Sequence, residues 1–403
     1  MTVEMNADSP AVVVDMGELA PYASHHRLTD AAATARGVVV HWDDGSCAEF
    51  HAVWLRDHCA CAECRHPQTH ERTVSLLDLP EPMPRPDVRV THSGALHLQW
   101  PATGGHAAHE SLFDPGWLRQ RAEPSASAKP SDARAQAWDA TFAQRVPSVA
   151  FSAFMDTDAG LRAWLAALER FGLALLEQGP TEAGGVVRVA ERVGWPRETN
   201  FGRHFDVVSK PNPNNAAYTA IALEPHIDLP NWQRPPDFQL LYCLENAAEG
   251  GASVFTDGFA VAEALRAEDP EGFEVLATRP VDFRFQDEGA DIACRAPVIG
   301  LDEHGGLTEI RFNNWIRDTL RLPARDVEPF YRAYRRFWAL LRDPRFAIRF
   351  TLAPGQMVAF DNLRVLHGRD AFDPNTGRRH LQGTYLDRDL IRSRLRVLER
   401  VVA

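Results

Sequence analysis

The stretch that decides the fold reads Leu223-Glu224-Pro225-His226-Ile227-Asp228-Leu229-Pro230-Asn231-Trp232-Gln233-Arg234-Pro235-Pro236-Asp237-Phe238-Gln239-Leu240-Leu241-Tyr242-Cys243-Leu244. Its second half is a short, nearly continuous apolar run, the pattern of a strand buried on both faces. Its first half carries a His-x-Asp pair. On a strand, side chains at i and i+2 share a face, so His226 and Asp228 can grip one metal while Ile227 points away. One further imidazole from a distant strand completes a facial triad and leaves three positions open for cosubstrate and dioxygen. The loop between the halves sits at the mouth of the sheet, where a lid could close.

The pair alone is not decisive, because the chain also contains His41/Asp43 and His204/Asp206. The first lies in Trp42-Asp43-Asp44-Gly45, a hairpin signal that explains its aspartate as turn chemistry. A third ligand for His226 and Asp228 is available far downstream in Phe360-Asp361-Asn362-Leu363-Arg364-Val365-Leu366-His367, followed by Arg378-Arg379-His380. A dicarboxylate cosubstrate needs a fixed cation at its far end, and a planar guanidinium binds carboxylate bidentately. Spacing alone leaves His367 equally readable as a core histidine and Arg379 as a surface charge.

Outward from this stretch, the periodicity predicts helices ending at Gly172, over residues 186–193, 257–268 and 327–341. Strands are expected over 281–285, 307–312, 346–352, 357–360 and 380–386. Asp269-Pro270 reads as a helix stop. Helices first, then many strands with a helical insert, imply an α+β fold with a sandwich or barrel core.

Upstream lies a smaller, strand-rich unit. Residues 1–36 read as a poorly ordered lead, residues 38–40 and 49–55 as paired strands, and residues 88–100 as a second hairpin turning at Ser93-Gly94. Three thiols crowd into Cys59-Ala60-Cys61-Ala62-Glu63-Cys64. They suit zinc but leave one tetrahedral position for His58, His66, His70, His106 or His109. Residues 119–137 are rich in Pro, Ser, Ala and Arg, a linker composition. The expected units are therefore a small N-terminal zinc domain at 37–118, a linker at 119–137 and the larger domain at 138–403.

The chain has 403 residues, 45% apolar and 24% charged, with a formal net charge of −12. An acidic surface argues against nucleic acid as a partner. No apolar run is long enough for a membrane span, and the acidic N-terminus resembles neither a signal nor a transit peptide, so a cytoplasmic protein is expected.

Residues 151–396 resemble the taurine dioxygenase-like superfamily, and within it the gamma-butyrobetaine hydroxylase family. The matching stretches, in order, are Asn200-Phe201-Gly202, Ser209-Lys210-Pro211, Asn215-Ala216-Ala217-Tyr218-Thr219, Pro225-His226-Ile227-Asp228, Gly250-Gly251, Asp257-Gly258-Phe259, Arg311-Phe312-Asn313-Asn314, Phe360-Asp361-Asn362, His367-Gly368-Arg369 and Arg379-His380-Leu381-Gln382-Gly383-Thr384-Tyr385. The resemblance implies a double-stranded β-helix (jelly-roll) with a helical insert. It implies iron(II) held by His226, Asp228 and His367, and 2-oxoglutarate held at its distal carboxylate by Arg379. His204/Asp206 then belongs to a substrate-side loop. Phe201, Phe205, Tyr218 and Tyr385 match a cage for a trimethylammonium group, and Asn215 and Asn313 match contacts to the carboxylate of gamma-butyrobetaine. This chain has Ile227 where the family usually has Thr, and Phe201 and Phe205 where it often has Tyr and Trp.

In the N-terminal unit, Trp54-Leu55-Arg56-Asp57 and His109-Glu110-Ser111-Leu112-Phe113 resemble the zinc domain of the same family. That match selects His109 as fourth ligand, beside Cys59, Cys61 and Cys64, in a structural zinc site. The implied reaction is hydroxylation of gamma-butyrobetaine to L-carnitine with dioxygen, in a homodimer. Competing substrates are trimethyllysine and 2-(trimethylamino)ethylphosphonate, the latter favouring an extra arginine such as Arg317. From other classes, the chain could be a trimethylammonium-binding module without turnover or a metal-storing cupin-like protein. Neither needs both the triad and Arg379.

Overall fold

A computed structural model describes residues 12–122, 135–208 and 219–400, which fall into two compact units, one up to residue 122 and one from 135 to 399. The chain mixes helix and strand throughout.

The first unit holds two three-stranded antiparallel sheets. Strands Leu28–Ala33, Gly37–Trp42 and Cys47–His51 form one, with Gly45 at φ 84° in the expected turn. Strands Asp87–Val90, Leu96–Trp100 and His109–Phe113 form the other, turning at Gly94. The expected lead thus already contains a strand that pairs with Gly37–Trp42. The expected strand over 49–55 also stops early, at His51. The His51 ring caps a short helix, Ala52–Asp57, by accepting from the Val53 N–H at 3.3 Å. Ala, Leu and Arg favour helix there, and Leu55 is buried in a core with Trp42, Phe50, Leu96 and Trp117. This helix delivers the chain to Cys59. Arg119 to Arg121 form the last turn of a helix, Pro115–Arg121, capped by Asp114.

The second unit is built on two sheets. The six-stranded one runs Ser148–Ala150, Leu173–Glu177, Met357–Asp361, Phe238–Asn246, Arg379–Leu386, Phe205–Val208. The four-stranded one runs Leu223–His226, Val365–Arg369, Ser253–Asp257, Ala347–Phe350. The period-two alternation assigns faces. Leu240, Tyr242, Met357 and Ala359 pack against helices Asp158–Phe171 and Gly185–Val193. Their neighbours Cys243, Val358 and Phe360 instead meet Phe255, Ile348 and Val365 of the other sheet. Both faces of residues 238–243 are therefore covered, which is why the sequence there is nearly continuously apolar. On the far side of the four-stranded sheet, Leu366 and Ile227 pack with Val261, Leu265 and Phe337 of helices Gly258–Glu268 and Ala324–Leu341.

Asp269 stops the first of those helices and at once caps a further one, Pro270–Thr278. Pro is well tolerated at the first helical position, so a stop signal and a start signal coincide there. A C-terminal helix, Arg388–Arg400, completes the unit.

Candidate functional site

The strand Leu223–His226 ends at His226, and its Cα partner across the sheet is His367. Asp228 lies two residues past the strand end, so the pair is not carried on one continuous strand as the sequence suggested. Ile227 between them is fully buried in the helix-side core, its N–H donating to the Phe312 carbonyl at 2.9 Å. Leu229 then takes φ 55°, unusual for a branched side chain, and turns the chain sharply away. This turn leaves the Asp228 carboxylate 3.5 Å from His226 Nε2 and 3.7 Å from His367 Nε2. The three atoms converge on one point, set slightly wider than the roughly 3 Å edge expected for bonds near 2.1 Å at right angles. Two imidazoles and one carboxylate are the donor set of a non-haem iron(II) oxygenase.

Their surroundings prepare them for metal. His226 Nδ1 lies 2.8 Å from the Glu224 carbonyl, which can only accept. The ring proton therefore sits on Nδ1, and Nε2 presents its lone pair. Burial, with the His226 ring adding to it, pushes His367 down to about 3, so that it stays neutral. Burial alone would raise the Asp228 carboxyl, but His367, His226 and the Tyr385 hydroxyl outweigh it and hold the group well below the usual carboxylate range. Asn362 clips the backbone of Asp228 on both sides, Oδ1 accepting from its N–H at 2.8 Å and Nδ2 donating to its carbonyl at 3.0 Å.

The loop after Asp228, which the sequence suggested as a lid, is tied down. The buried Arg311 guanidinium donates to the carbonyls of Trp232 and Gln233 at 2.9 and 3.1 Å.

Arg379 lies at the start of the strand Arg379–Leu386, buried, with its Nε lacking any hydrogen-bond partner among the described residues. Burial lowers its pKa, the mark of a cation that a bound anion would stabilise. The fit to a dicarboxylate is good: a fork of donors without a buried acid beside it among the described residues.

Three of the four expected cage rings are described, and they form a chain that ends on the Asp228 carboxylate. Phe201 and Phe205 have centroids 6.5 Å apart, Phe205 and Tyr385 5.3 Å. The Tyr385 hydroxyl donates to Asp228 Oδ2 at 2.8 Å. Phe205 crosses the strand from Gly383, and a Cβ there would stand 2.4 Å from two of its ring atoms. Two further rings were not singled out from the sequence: Phe285, 5.8 Å from Phe201, and Trp315, edge-on to His226 at 5.0 Å. Nothing in their local sequence distinguishes them from core aromatics. Asn215 and Tyr218 lie outside the described residues. Asn313 spends part of its amide on structure, Nδ2 donating to the Ile227 carbonyl at 3.1 Å and Oδ1 accepting from Trp315 N at 3.0 Å. One amide hydrogen remains.

The competing His-x-Asp pairs do other work. Asp43 pairs with His26, not His41, at 3.1 Å. Asp206 sits on an edge strand rather than in a loop, and binds His380 at 2.7 Å and Gln382 at 3.0 Å.

In the N-terminal unit, His109 Nε2 lies 3.4, 3.7 and 3.5 Å from the sulfurs of Cys59, Cys61 and Cys64. Zinc bonds of 2.3 Å to sulfur and 2.0–2.1 Å to nitrogen give a tetrahedral S···N edge of about 3.6 Å. The four side chains therefore fit zinc closely. The Arg56 guanidinium donates to Cys64 Sγ at 3.0 Å and favours its thiolate.

The family model "Taurine catabolism dioxygenase TauD, TfdA family" matches residues 129–385, and "Gamma-butyrobetaine hydroxylase-like, N-terminal" matches residues 30–119. A gamma-butyrobetaine dioxygenase from a Pseudomonas strain is 43% identical over 93% of this chain and 96% of its own. The human gamma-butyrobetaine dioxygenase is 32% identical over 90% of this chain and 94% of its own. Human mitochondrial trimethyllysine dioxygenase is 32% identical over 87% and 82%. Two-histidine, one-carboxylate donors, a buried arginine and relatives matched along nearly their full length agree: the chain belongs to the TauD/TfdA family of iron(II)- and 2-oxoglutarate-dependent dioxygenases.

Proposed function

We propose that this enzyme hydroxylates a small trimethylammonium carboxylate, gamma-butyrobetaine, to L-carnitine. The observation that carries the reading is the run of rings Phe201, Phe205 and Tyr385 ending on the metal ligand Asp228. A quaternary ammonium has no hydrogen to donate and is recognised by aromatic faces. A cage that ends beside the metal holds the adjoining carbon chain within reach of the oxidant.

In this reading His226, Asp228 and His367 hold iron(II), and Arg379 receives the distal carboxylate of 2-oxoglutarate. When bound, iron(II) and 2-oxoglutarate turn dioxygen into the oxidant, and the cosubstrate leaves as succinate and carbon dioxide. The chain's own share is positioning. Asn362 and Tyr385 fix the carboxylate of Asp228, and the Glu224 carbonyl fixes the tautomer of His226. Phe201, Phe205, Tyr385 and, from the sequence, Tyr218 enclose the cation. The remaining N–H of Asn313, with Asn215, meets the substrate carboxylate. Cys59, Cys61, Cys64 and His109 hold a zinc ion that stabilises the N-terminal domain and takes no part in chemistry.

The two packed sheets support a double-stranded β-helix for the catalytic domain, 138–403, preceded by the zinc domain, whose expected bounds of 37–118 widen to take in the strand Leu28–Ala33 and the helix Pro115–Arg121. No described helix is long and apolar enough to cross a membrane. A cytoplasmic homodimer completes the proposal.

Trimethyllysine is the second reading, favoured by the 32% identity to trimethyllysine dioxygenase. The 43% identity to a gamma-butyrobetaine dioxygenase favours the first. Arg317, the arginine offered for a phosphonate, lies over Tyr331 and Tyr334 of the long helix, and none of the relatives above is named for a phosphonate substrate.

The test compares gamma-butyrobetaine with 5,5-dimethylhexanoate, which replaces the ammonium nitrogen by carbon. A cation–π contribution of about 1–2 kcal/mol predicts a preference for the cation of about 5- to 30-fold in kcat/KM. Equal turnover of the two, or preference for trimethyllysine, contradicts the assignment.

A further inference from the structure

The segment following Tyr218 is held in an unusual way. Three successive carbonyls are received by Arg369, at the end of the strand that carries His367, and by Phe372 three residues beyond it. Arg369 Nη2 donates to the carbonyls of Thr219 and Ile221, each at 2.7 Å. Between them, the Phe372 N–H donates to the Ala220 carbonyl at 3.1 Å.

Arg369 shares a strand face with His367, two residues away, and is buried. The Phe372 ring is buried as well and serves two cations. The Arg369 guanidinium carbon lies 4.8 Å from its centroid and that of Arg379 5.7 Å. Gly251 leaves room for this arrangement, since a Cβ there would meet Phe372 Cβ at 3.2 Å and Arg379 Nε at 3.3 Å. A single ring therefore touches both the arginine assigned to the cosubstrate and the arginine that holds residues 219–221.

We propose that Arg369 and Phe372 are positioning residues that couple 2-oxoglutarate binding at Arg379 to the order of residues 219–221. The inference rests on the assignment of Arg379 made above. Two like-charged guanidiniums near one ring repel, and a carboxylate on Arg379 offsets that repulsion. It also fixes Arg379 against Phe372, so the ring keeps its place over Arg369 and Arg369 keeps both carbonyls.

The test uses the full chain with iron(II) under anaerobic conditions, with and without 2-oxoglutarate. Hydrogen exchange of the amides at 219–226 is followed by mass spectrometry, and cosubstrate affinity by calorimetry. In the wild type, 2-oxoglutarate slows exchange there about fivefold or more, a typical coupling. Arg369→Gln binds 2-oxoglutarate within about threefold of wild type but loses the slowing. Arg369→Lys keeps the charge without the planar fork and recovers part of it. Should Arg369→Gln fail to fold, a full wild-type response in Arg369→Lys overturns the coupling, and a partial one supports it. Undiminished slowing in Arg369→Gln, or no slowing in a wild type that binds 2-oxoglutarate, overturns it as well. A wild type that binds no 2-oxoglutarate would instead remove the assignment of Arg379.

Discussion

The Tyr385 hydroxyl donates to Asp228 Oδ2 at 2.8 Å, so a ring of the proposed substrate cage is also a partner of the carboxylate proposed to hold the metal. One residue thereby serves both sites, and its ring and hydroxyl can be separated by mutation. Tyr385→Phe keeps the face toward Phe205 and removes the donor. Partners of this kind affect metal affinity by about 10- to 100-fold. The expected result is weaker iron(II) binding by about tenfold, read by metal titration, with KM for substrate nearly unchanged at saturating metal. An unchanged metal affinity would separate the two sites.

Gly383 is bare because Phe205 lies over it. Gly383→Ala must push the Phe205 ring aside, and overpacking of this kind costs about 1–3 kcal/mol of stability. Substrate KM should rise while 2-oxoglutarate affinity is retained. Thermal melts and separate titrations of the two ligands check this.

Removal of zinc should unfold the N-terminal unit selectively. Its short helix, Ala52–Asp57, leads directly into the cysteines, and Trp54 stacks on His58 at 4.5 Å and lies 5.5 Å from Trp117. Structural zinc sites contribute folding free energy outright. Chelation, or Cys61→Ser, should release about one zinc per chain and shift tryptophan emission to the red. Retained emission after complete zinc loss would contradict a structural role.

The metal-free protein should weaken in acid. His367 is pushed down to about 3 in the folded chain, whereas an unfolded imidazole titrates near 6.5. Between those values the unfolded chain binds more protons, so stability falls as pH falls, by up to about 1.4 kcal/mol per unit. The depressed Asp228 carboxyl adds a loss only at lower pH, below the ordinary carboxylate range. From pH 6.5 to 4.5, His367→Asn should flatten the decline in melting temperature. An equally steep decline in that variant would assign the effect elsewhere.

Much of this was legible in the sequence because the relevant signals are local. Gly172 ends its helix in the left-handed conformation, the apolar run at 238–244 is a strand, and the three thiols crowd together in the chain, whereas His109, about 50 residues away, is picked out of five histidines by the family resemblance and not by spacing. What escaped depends on contacts between distant segments. The helix Ala52–Asp57 needs the His51 cap and a core beneath Leu55 to prevail over its strand-like pattern. The loop after Asp228 reads as a lid until Arg311, far along the chain, is seen holding its carbonyls. Phe285 and Trp315 look like ordinary core aromatics until folding sets them beside Phe201 and His226. Asn313 reads as a substrate donor, yet half of its amide supports the metal loop.

The central claim is that the triad and the aromatic cage act on one substrate together. The most direct measurement is the yield of succinate and of L-carnitine in a single reaction containing iron(II), 2-oxoglutarate, dioxygen and gamma-butyrobetaine. The account predicts that both form in equal amounts and that both vanish in His226→Ala. Succinate that stays at its substrate-free background when gamma-butyrobetaine is added, or carnitine formation that persists in His226→Ala, would contradict it.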